Sequence, residues 1–193
     1  MMKNDRDDFW DLLKPEYKKT MMFCRKLTGS IDSGDDLFQD ALVQAYQNFS
    51  QLRDVSAFNA WLYRIIVNAF KSKKRRSFWK RFTSLTEQAL YIPADANPEQ
   101  AFGHRQTLEI ALSAVSPEHR AIIILHEVEG WPVKEISEMI GKTEGAVKAG
   151  LFRARNKMKE AILSATRSAE RKAQSVIVER KDAECAAAKS SLE

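Results

Sequence analysis

The segment MIGKTEGAVKAG, residues 139–150, contains residue types that bind phosphate groups. Gly141-Lys142-Thr143 has the composition of the end of a nucleotide-binding phosphate loop, which requires Gly-x4-Gly-Lys-Thr after a strand. The first glycine of that motif would stand at Ile136, and the preceding residues, VKEISEMI, have helical spacing. The segment therefore fails the nucleotide-loop pattern in both spacing and context.

No other arrangement in the sequence is typical of an enzyme. His126-Glu127 begins like the zinc-protease motif HExxH, but position 130 is Gly. His119 and His126 are seven residues apart, whereas helical metal ligands are typically three to five apart. No nucleophile-elbow motif is present. We therefore expect no catalytic residues, no bound metal and no cofactor.

Composition indicates a reduced, intracellular protein. The chain has 193 residues, of which 44% are apolar and 30% charged, with a net charge of +5. Its two cysteines are far apart and form no CxxC pair, so a disulfide scaffold is not expected. The N-terminus lacks an apolar signal core, and the longest apolar runs are too short to cross a bilayer. We expect a cytoplasmic protein without membrane insertion.

The charge is distributed unevenly along the chain. Residues 71–82 contain seven Lys or Arg among twelve residues and no acidic side chain. Residues 83–103 contain no basic side chain, and Glu87, Asp95 and Glu99 are acidic. This alternation indicates that residues 71–82 contact a polyanion and that residues 83–103 avoid one.

Apolar spacing predicts an all-α fold of two small helical domains. Two stripes of helical period precede the basic run, with Ser56 as the predicted N-cap of the second; they are Phe38, Leu42, Ala45, Phe49 and Phe58, Leu62, Ile65, Ala69. The period is lost after residue 82 and returns at 106. We therefore predict domains at 1–82 and 106–163, a flexible acidic linker at 83–105 and a C-terminal extension at 164–193.

The segment MIGKTEGAVKAG, residues 139–150, fits a helix-turn-helix. Helices over 133–140 and from Glu144 to about Leu163 are joined by a turn containing Gly141. The residues predicted to fill the angle between them are Ile136, Ile140, Val147 and Leu151. The predicted DNA-facing set is Lys148, Ala149, Phe152, Arg153 and Arg155. Small Ala149 and Gly150 are expected to let the helix approach the DNA closely. The alternative is a helical hairpin with a solvated basic face.

A second polar stripe follows the helix that begins near residue 57. It combines an aromatic ring, an amide and three cations: Trp61, Arg64, Asn68, Lys71 and Arg75. An exposed aromatic ring suits single-stranded DNA, because unstacked bases offer a π face and stacking contributes about 1–3 kcal/mol per base. The alternative is that Trp61 and Tyr63 are ordinary core residues.

Three segments resemble bacterial RNA polymerase sigma factors of the extracytoplasmic-function group. They are DDLFQDALVQAY (35–46), SAFNAWLYRIIVNAFKSKKRR (56–76) and SPEHRAIIILHEVEGWPVKEISEMIGKTEGAVKAGLFRARNKMKEAI (116–162). The resemblance covers residues 9–163 and implies a region 2 helical bundle followed by a region 4 helix-turn-helix. It also implies a transcription initiation factor that binds core polymerase, directs it to stress-type promoters and promotes melting.

The resemblance also assigns roles to residues. Asp36, Gln39 and Asp40 match the part of region 2 that docks on the β′ clamp helices. The loop 48–56, with Arg53 and Ser56, matches the loop that captures a flipped-out base. The implied −10 and melting contacts are Trp61, Arg64, Asn68 and Lys71, and the implied −35 contacts are Lys148, Phe152 and Arg153. Further implied partners are the β flap, duplex and single-stranded promoter DNA, and an anti-sigma factor.

Some positions depart from the family. Ala149-Gly150 stands where the family commonly has Ser-Arg, so we expect a hydroxyl and a cation to be missing from the DNA-facing surface. The residues after 163 extend past the usual end of region 4, either as a fraying end or as a docking segment. Two other functions are considered: a helix-turn-helix regulator that binds duplex DNA without polymerase, and a nucleotide hydrolase built on Gly141-Lys142-Thr143.

Overall fold

The computed structural model describes residues 5–80 and 107–190, and none of these residues lies in a strand. The N-terminal module consists of α1 (Asp5–Thr28), α2 (Ile31–Gln47) and α3 (Phe58–Lys80). The C-terminal module consists of α4 (107–113), α5 (Pro117–Ile123), α6 (Val133–Ile140) and α7 (Glu144–Ser190). This confirms the all-α fold. The predicted linker, residues 83–105, lies outside the described residues.

The N-terminal module is a three-helix bundle around an aromatic and aliphatic core. Phe38 and Ala45 of α2 and Leu62 of α3 are buried on the predicted stripes. Phe9 of α1 meets the rings of Phe49 and Phe58 edge-on, with centroids 5.4 and 5.9 Å away. Aromatic pairs prefer this edge-to-face arrangement. The core therefore fixes how each helix is rotated about its own axis.

The loop between α2 and α3 has a different cap from the predicted one. Two short 3₁₀ turns, Phe49–Gln51 and Val55–Ala57, lead into α3. Asp54 accepts hydrogen bonds from the Ser56 backbone N–H at 2.9 Å and from its hydroxyl at 2.7 Å. Ser56 is therefore the donor and Asp54 the capping residue. These hydrogen bonds also lower the pKa of Asp54.

The backbones of α1 and α2 lie close together at Gly34. A Cβ atom on Gly34 would lie 2.5 Å from the Cα atom of Arg25 in α1. Beside this contact, the Arg25 guanidinium donates to both carboxylate oxygens of Asp35, at 2.7 and 2.9 Å. Glycine at position 34 therefore permits backbone contact, and the adjacent ion pair orients the two helices.

In the C-terminal module, the predicted start of α5 is confirmed. Ser116 caps the helix by accepting from the His119 N–H at 3.3 Å, and Pro117 occupies the first helical position. The helix continues as a π-helical turn, Ile124–Val128. It stops before Gly130, whose φ of +75° lies in the left-handed region. The chain then enters α6.

The last helix is much longer than predicted. We expected it to end near Leu163, but α7 runs through Ser190 and has 47 residues. No glycine or proline follows Gly150, and the segment is rich in Ala, Glu, Lys and Arg, which have high helix propensity. Nothing local therefore ends the helix at the boundary of the predicted domain.

The two modules are in contact with each other. Helix α3 packs against α5 and α6, and the buried apolar residues of both modules form one continuous cluster. At the junction, the rings of Tyr63 and Trp131 lie 5.1 Å apart. Tyr63 is fully buried, which confirms the core alternative for this residue. The sequence left the relative placement of the modules open.

We predict that Gly34→Ala destabilises the chain although alanine is the better helix former. The new methyl group would collide with the Arg25 backbone, and such overpacking typically costs about 1–3 kcal/mol. Urea unfolding measures the change in free energy. The matched control is Gly145→Ala, where the nearest atom to the new Cβ is Thr143 Oγ1 at 4.0 Å; it should leave stability unchanged or raise it. A Gly34→Ala variant as stable as the wild type would contradict the close contact.

Candidate nucleic-acid interface

The predicted helix-turn-helix is present, and its turn is built by two residues. Gly141 ends α6 with φ +67° and ψ 41°, a left-handed conformation that favours glycine. Thr143 then caps α7, because its hydroxyl accepts from the Ala146 N–H at 3.2 Å. Gly141-Lys142-Thr143 is thus a helix-to-helix turn, as the spacing indicates.

The angle between α6 and α7 is filled as predicted. Ile136 and Val147 are fully buried, and Ile140 and Leu151 are 9% and 4% exposed. Burial of this face turns Lys148, Phe152 and Arg153 outward, and all three are exposed. Phe152 is 65% exposed, more than any other large apolar residue whose side-chain exposure the structure describes. An uncovered ring beside two cations is a surface that can contact a base or a thymine methyl group.

Two members of the predicted DNA-facing set are placed differently. Ala149 is half-buried. The Arg155 Nε donates to Glu127 Oε1 at 3.1 Å, and this pair lowers the pKa of the Glu127 carboxyl. Arg155 is therefore tied to the turn that follows α5, whereas Lys148 and Arg153 project outward.

Gly150 faces α5, which corrects the expectation for the Ala149-Gly150 pair. Gly150 is buried, and a Cβ atom on it would lie 3.1 Å from Ile122 Cδ1 and 3.6 Å from the His119 ring. The residue that departs from the family pattern thus shapes the contact between α5 and α7. Sequence spacing could not show this, because position 150 lies at the boundary between the buried and exposed faces of α7.

His119 lies near the edge of the α7 cationic face. Burial lowers its pKa, and the positive charges of Arg153 and Lys157 lower it further. The ring is therefore mainly neutral at neutral pH. No sequence spacing identifies His119 as a neighbour of this cationic face.

The second polar stripe lies on α3. Arg64 and Asn68 are exposed, and Lys71 is half-buried. Trp61 is also half-buried, with its ring centroid 5.9 Å from Phe58 and 6.4 Å from Phe49. Trp61 is therefore partly a packing residue and presents only part of its ring to solvent. Arg75 lies in α3, but its side chain is outside the described residues.

The loop before α3 presents polar side chains next to this stripe. Arg53 and Ser56 are both exposed. At the start of the loop, the Gln51 side-chain amide donates to the Asn48 side-chain oxygen at 3.0 Å. This contact and the Asp54 cap are internal to the loop, which leads directly into α3 ahead of Trp61.

A separate polar surface lies on α2. Asp36, Gln39 and Asp40 are all exposed, as a docking role requires. The Lys73 Nζ lies 3.8 Å from Asp36 Oδ2 and 3.4 Å from Asp40 Oδ2. Val43 is 56% exposed on the same helix. The α2 face thus combines acidic and apolar groups, and no sequence motif marks Val43.

Comparison with models of known protein families identifies the family of this chain. Residues 14–80 match the model "Sigma-70 region 2", and residues 105–158 match "Sigma-70, region 4". Together the two matches cover more than half of the chain. The chain belongs to the sigma-70 family. The N-terminal module is its region 2 and the C-terminal module contains its region 4.

The relatives are extracytoplasmic-function (ECF) sigma factors and similar proteins. The ECF RNA polymerase sigma factor SigE of Mycolicibacterium smegmatis is 28% identical over 156 residues, which are 78% of this chain and 60% of SigE. The RNA polymerase sigma factor YlaC of Bacillus subtilis is 28% identical over 159 residues, which are 80% of this chain and 92% of YlaC. The chain therefore spans less than two thirds of SigE but nearly all of YlaC.

A solved sigma factor has the same fold. The structure of RpoE in complex with the anti-sigma factor NepR, from Bartonella quintana, superposes with a TM-score of 0.66 at 26% identity. The match covers 80% of this chain and 96% of RpoE, and so includes regions 2 and 4 together.

The described residues were compared with the requirements of a metal site and of a membrane span, and they meet neither. Across residues 5–80 and 107–190, no group of three or more His, Cys, Asp or Glu side chains is arranged to hold a metal ion. Within the same ranges, no helix combines the length and the apolar character needed to cross a membrane. The sigma-70 family itself is a family of non-enzymatic initiation factors.

Proposed function

We propose that the chain is a transcription initiation factor that brings core RNA polymerase to promoters and opens the −10 element. The observation that carries the proposal is the pair of different nucleic-acid faces in one sigma-70 chain. The face on α7 has exposed Lys148 and Arg153 after a helix-turn-helix, and the face on α3 has Arg64 and Asn68 beside an aromatic ring. A cytoplasmic location and the absence of catalytic activity are part of the same proposal.

The α7 face would bind the duplex −35 element. Lys148 and Arg153 are long cations that can reach base edges or phosphates when α7 enters the major groove. Phe152 stands between them and is largely uncovered. Its ring can contact the methyl group of a thymine. This role suits a large apolar side chain that the module leaves mostly exposed.

The α3 face would bind the opened strand of the −10 element. Arg64 and Asn68 can contact phosphates and base edges, and the exposed part of Trp61 can stack on an unpaired base. Arg53 and Ser56 lie in the adjoining loop, where an extruded base could be held. Base capture offsets the unstacking cost, which is about a few kcal/mol per base.

The α2 face would dock on the polymerase. Asp36, Gln39 and Asp40 would contact the β′ clamp helices, with Val43 as an apolar contact about one turn further along α2. The β flap would contact region 4. The RpoE structure contains an anti-sigma factor, and we extend a partner of that kind to this chain.

Reconstitution with core polymerase tests the proposal. The full chain is mixed with core enzyme and a library of duplex promoters, and the transcripts are sequenced. We expect a stable complex with core and transcripts that start downstream of a shared pair of elements. Binding of duplex DNA without core, together with no binding to core, would favour the helix-turn-helix regulator instead.

We predict that Lys148→Ala and Arg153→Ala each weaken promoter binding by the polymerase complex about tenfold, a typical loss for one cation at a base or phosphate. Both side chains are exposed, so circular dichroism and thermal unfolding should stay unchanged. The matched control is Arg167→Ala, an exposed cation on the same helix outside the residues matched to region 4. Wild-type transcription from both variants would refute these contacts.

We predict that Trp61→Ala impairs open-complex formation on duplex promoters and has a smaller effect on pre-melted templates. The ring would stabilise the opened strand by about 1–3 kcal/mol, which pre-melting makes partly unnecessary. Permanganate footprinting measures opening. Trp61→Phe is the control, because it retains an aromatic ring against Phe49 and Phe58. Equal losses on both templates would assign Trp61 to packing alone.

A further inference from the structure

One flank of α7 carries two cations that have no acidic partner. Arg153 and Lys157 are both exposed, and they lie one helical turn apart. Within residues 5–80 and 107–190, neither side chain makes an ion pair or a hydrogen bond. Like charges four residues apart on a helix repel each other and destabilise it. An anion bound between Arg153 and Lys157 would remove this repulsion.

A histidine of α5 lies on the same flank. A Cβ atom on Gly150 would be 3.6 Å from His119 Cδ2 and 3.9 Å from His119 Nε2. Because glycine has no side chain, the imidazole packs directly against the backbone of α7. Positions 150, 153 and 157 have the spacing i, i+3 and i+7 and therefore share one side of the helix. His119 is thus brought beside Arg153 and Lys157.

The ring nitrogens of His119 are not engaged elsewhere. Nδ1 is buried and has no hydrogen-bond partner in the described part of the chain. Nε2 lies on the side of α7 and also forms no hydrogen bond to any of the residues that the structure describes. The ring is therefore held by packing alone, and Nε2 can donate to a ligand on this flank.

The charges around His119 keep its imidazole neutral. Burial is the largest cause that lowers the pKa of His119, and the positive charges of Arg153 and Lys157 lower it as well. The neighbouring carboxylate of Glu118 acts in the opposite direction. The net pKa is below that of an ordinary histidine. The flank therefore combines two permanent cations with a third group that can become cationic when negative charge arrives.

The opposing carboxylate is already occupied by other cations. Glu118 Oε2 lies 3.4 Å from Lys71 Nζ on α3, and Glu118 Oε1 lies 3.5 Å from Lys142 Nζ in the turn before α7. These two lysines lower the pKa of Glu118, which is therefore ionised at neutral pH. Because its charge is balanced by the lysines, Glu118 leaves the His119 flank open to an external anion.

We propose that His119, Arg153 and Lys157 form a site for one backbone phosphate of duplex DNA beside the −35 element. Arg153 and Lys157 attract the phosphate, and His119 Nε2 donates a hydrogen bond to one of its oxygens. The site rests on the proposed function, because the flank meets the DNA backbone only when α7 lies in the major groove. Gly150 is the positioning residue, since its missing side chain gives the imidazole its place.

Binding at this site is linked to proton uptake. The negative charge of a bound phosphate raises the pKa of His119 above its value in the free chain. A group whose pKa rises on binding adds affinity at low pH, and this gain is lost as the pH rises through the bound-state pKa. Since the free-chain pKa lies below the ordinary value, we expect duplex affinity to fall between about pH 5.5 and pH 7.5.

The linkage is tested on the full chain with a fluorescein-labelled duplex of mixed sequence, because phosphate contacts do not depend on sequence. Anisotropy gives the affinity at each pH. We expect the affinity ratio between about pH 5.5 and 7.5 to be about three- to tenfold larger for the wild type than for His119→Gln, since one linked proton changes affinity by at most about tenfold per pH unit. His119→Lys, a permanent cation, should bind tightly at both pH values.

The control for general effects of pH is His126→Gln. The Nδ1 atom of His126 lies 3.1 Å from the Trp131 carbonyl oxygen, so this variant should keep the pH dependence of the wild type. The same pH dependence in the wild type and His119→Gln would overturn the proposal. A loss of pH dependence in His126→Gln as large as that in His119→Gln would also overturn it.

NMR titration of the His119 ring tests the geometry without an affinity measurement. In the free chain, Lys157→Gln should raise the pKa of His119, because one neighbouring positive charge is removed. A saturating amount of the mixed-sequence duplex should raise it in the wild type. An unchanged pKa on duplex binding would refute the phosphate contact. A rise of equal size with inorganic phosphate alone would assign the site to free phosphate and overturn its assignment to DNA.

Failure of the proposed function gives a different result. If Lys148→Ala binds the duplex as tightly as the wild type, with no effect of His119→Gln, then α7 does not contact DNA and both proposals are refuted. If Lys148→Ala weakens binding but the pH dependence is the same with and without His119, the −35 face stands and only the phosphate site is refuted.

Discussion

Burial of one face of α3 is the constraint on which the rest of the structure depends. Leu62, Ile66 and Phe70 lie in the core of region 2 at nearly zero exposure. A helix whose apolar face is fixed cannot rotate, so the positions of Arg64 and Asn68 on its outer face follow from the packing. The same helix contacts α5 and α6. One element therefore supports the core, a candidate nucleic-acid face and the junction between modules.

The ion pairs of Glu129 and Glu118 at the junction differ in how much free energy their loss would cost. Surface ion pairs contribute about 0–1 kcal/mol, whereas breaking a buried pair by removal of one partner costs about 3–5 kcal/mol. Glu129 belongs to the second class and Glu118 to the first. The buried Glu129 pair is therefore the stronger of these two links between the modules.

Much of the candidate site was predictable because its signals are local. Gly141 at a left-handed position, Ser116 before Pro117, and the apolar positions of α6 and α7 are all properties of short segments. The roles of Ser56 and Gly150 were predicted wrongly. Asp54, not Ser56, accepts the capping hydrogen bond. Gly150 lies at the edge of the apolar stripe of α7, where α5 packs against it. The predicted end of α7 near Leu163 is wrong, because the end of a domain does not require its last helix to end there.

The sequence by itself determined the helical class, the helix-turn-helix and the two cationic faces, since periodicity, capping and charge act over a few residues. Only the tertiary structure decided which faces meet. Glu129 pairs with Lys26, 103 residues earlier, and Tyr63, 66 residues earlier. Such contacts depend on how the packed helices are placed in space. Local spacing carries no information on that placement, so a glutamate in a turn between helices could not be recognised as the buried link between the two modules.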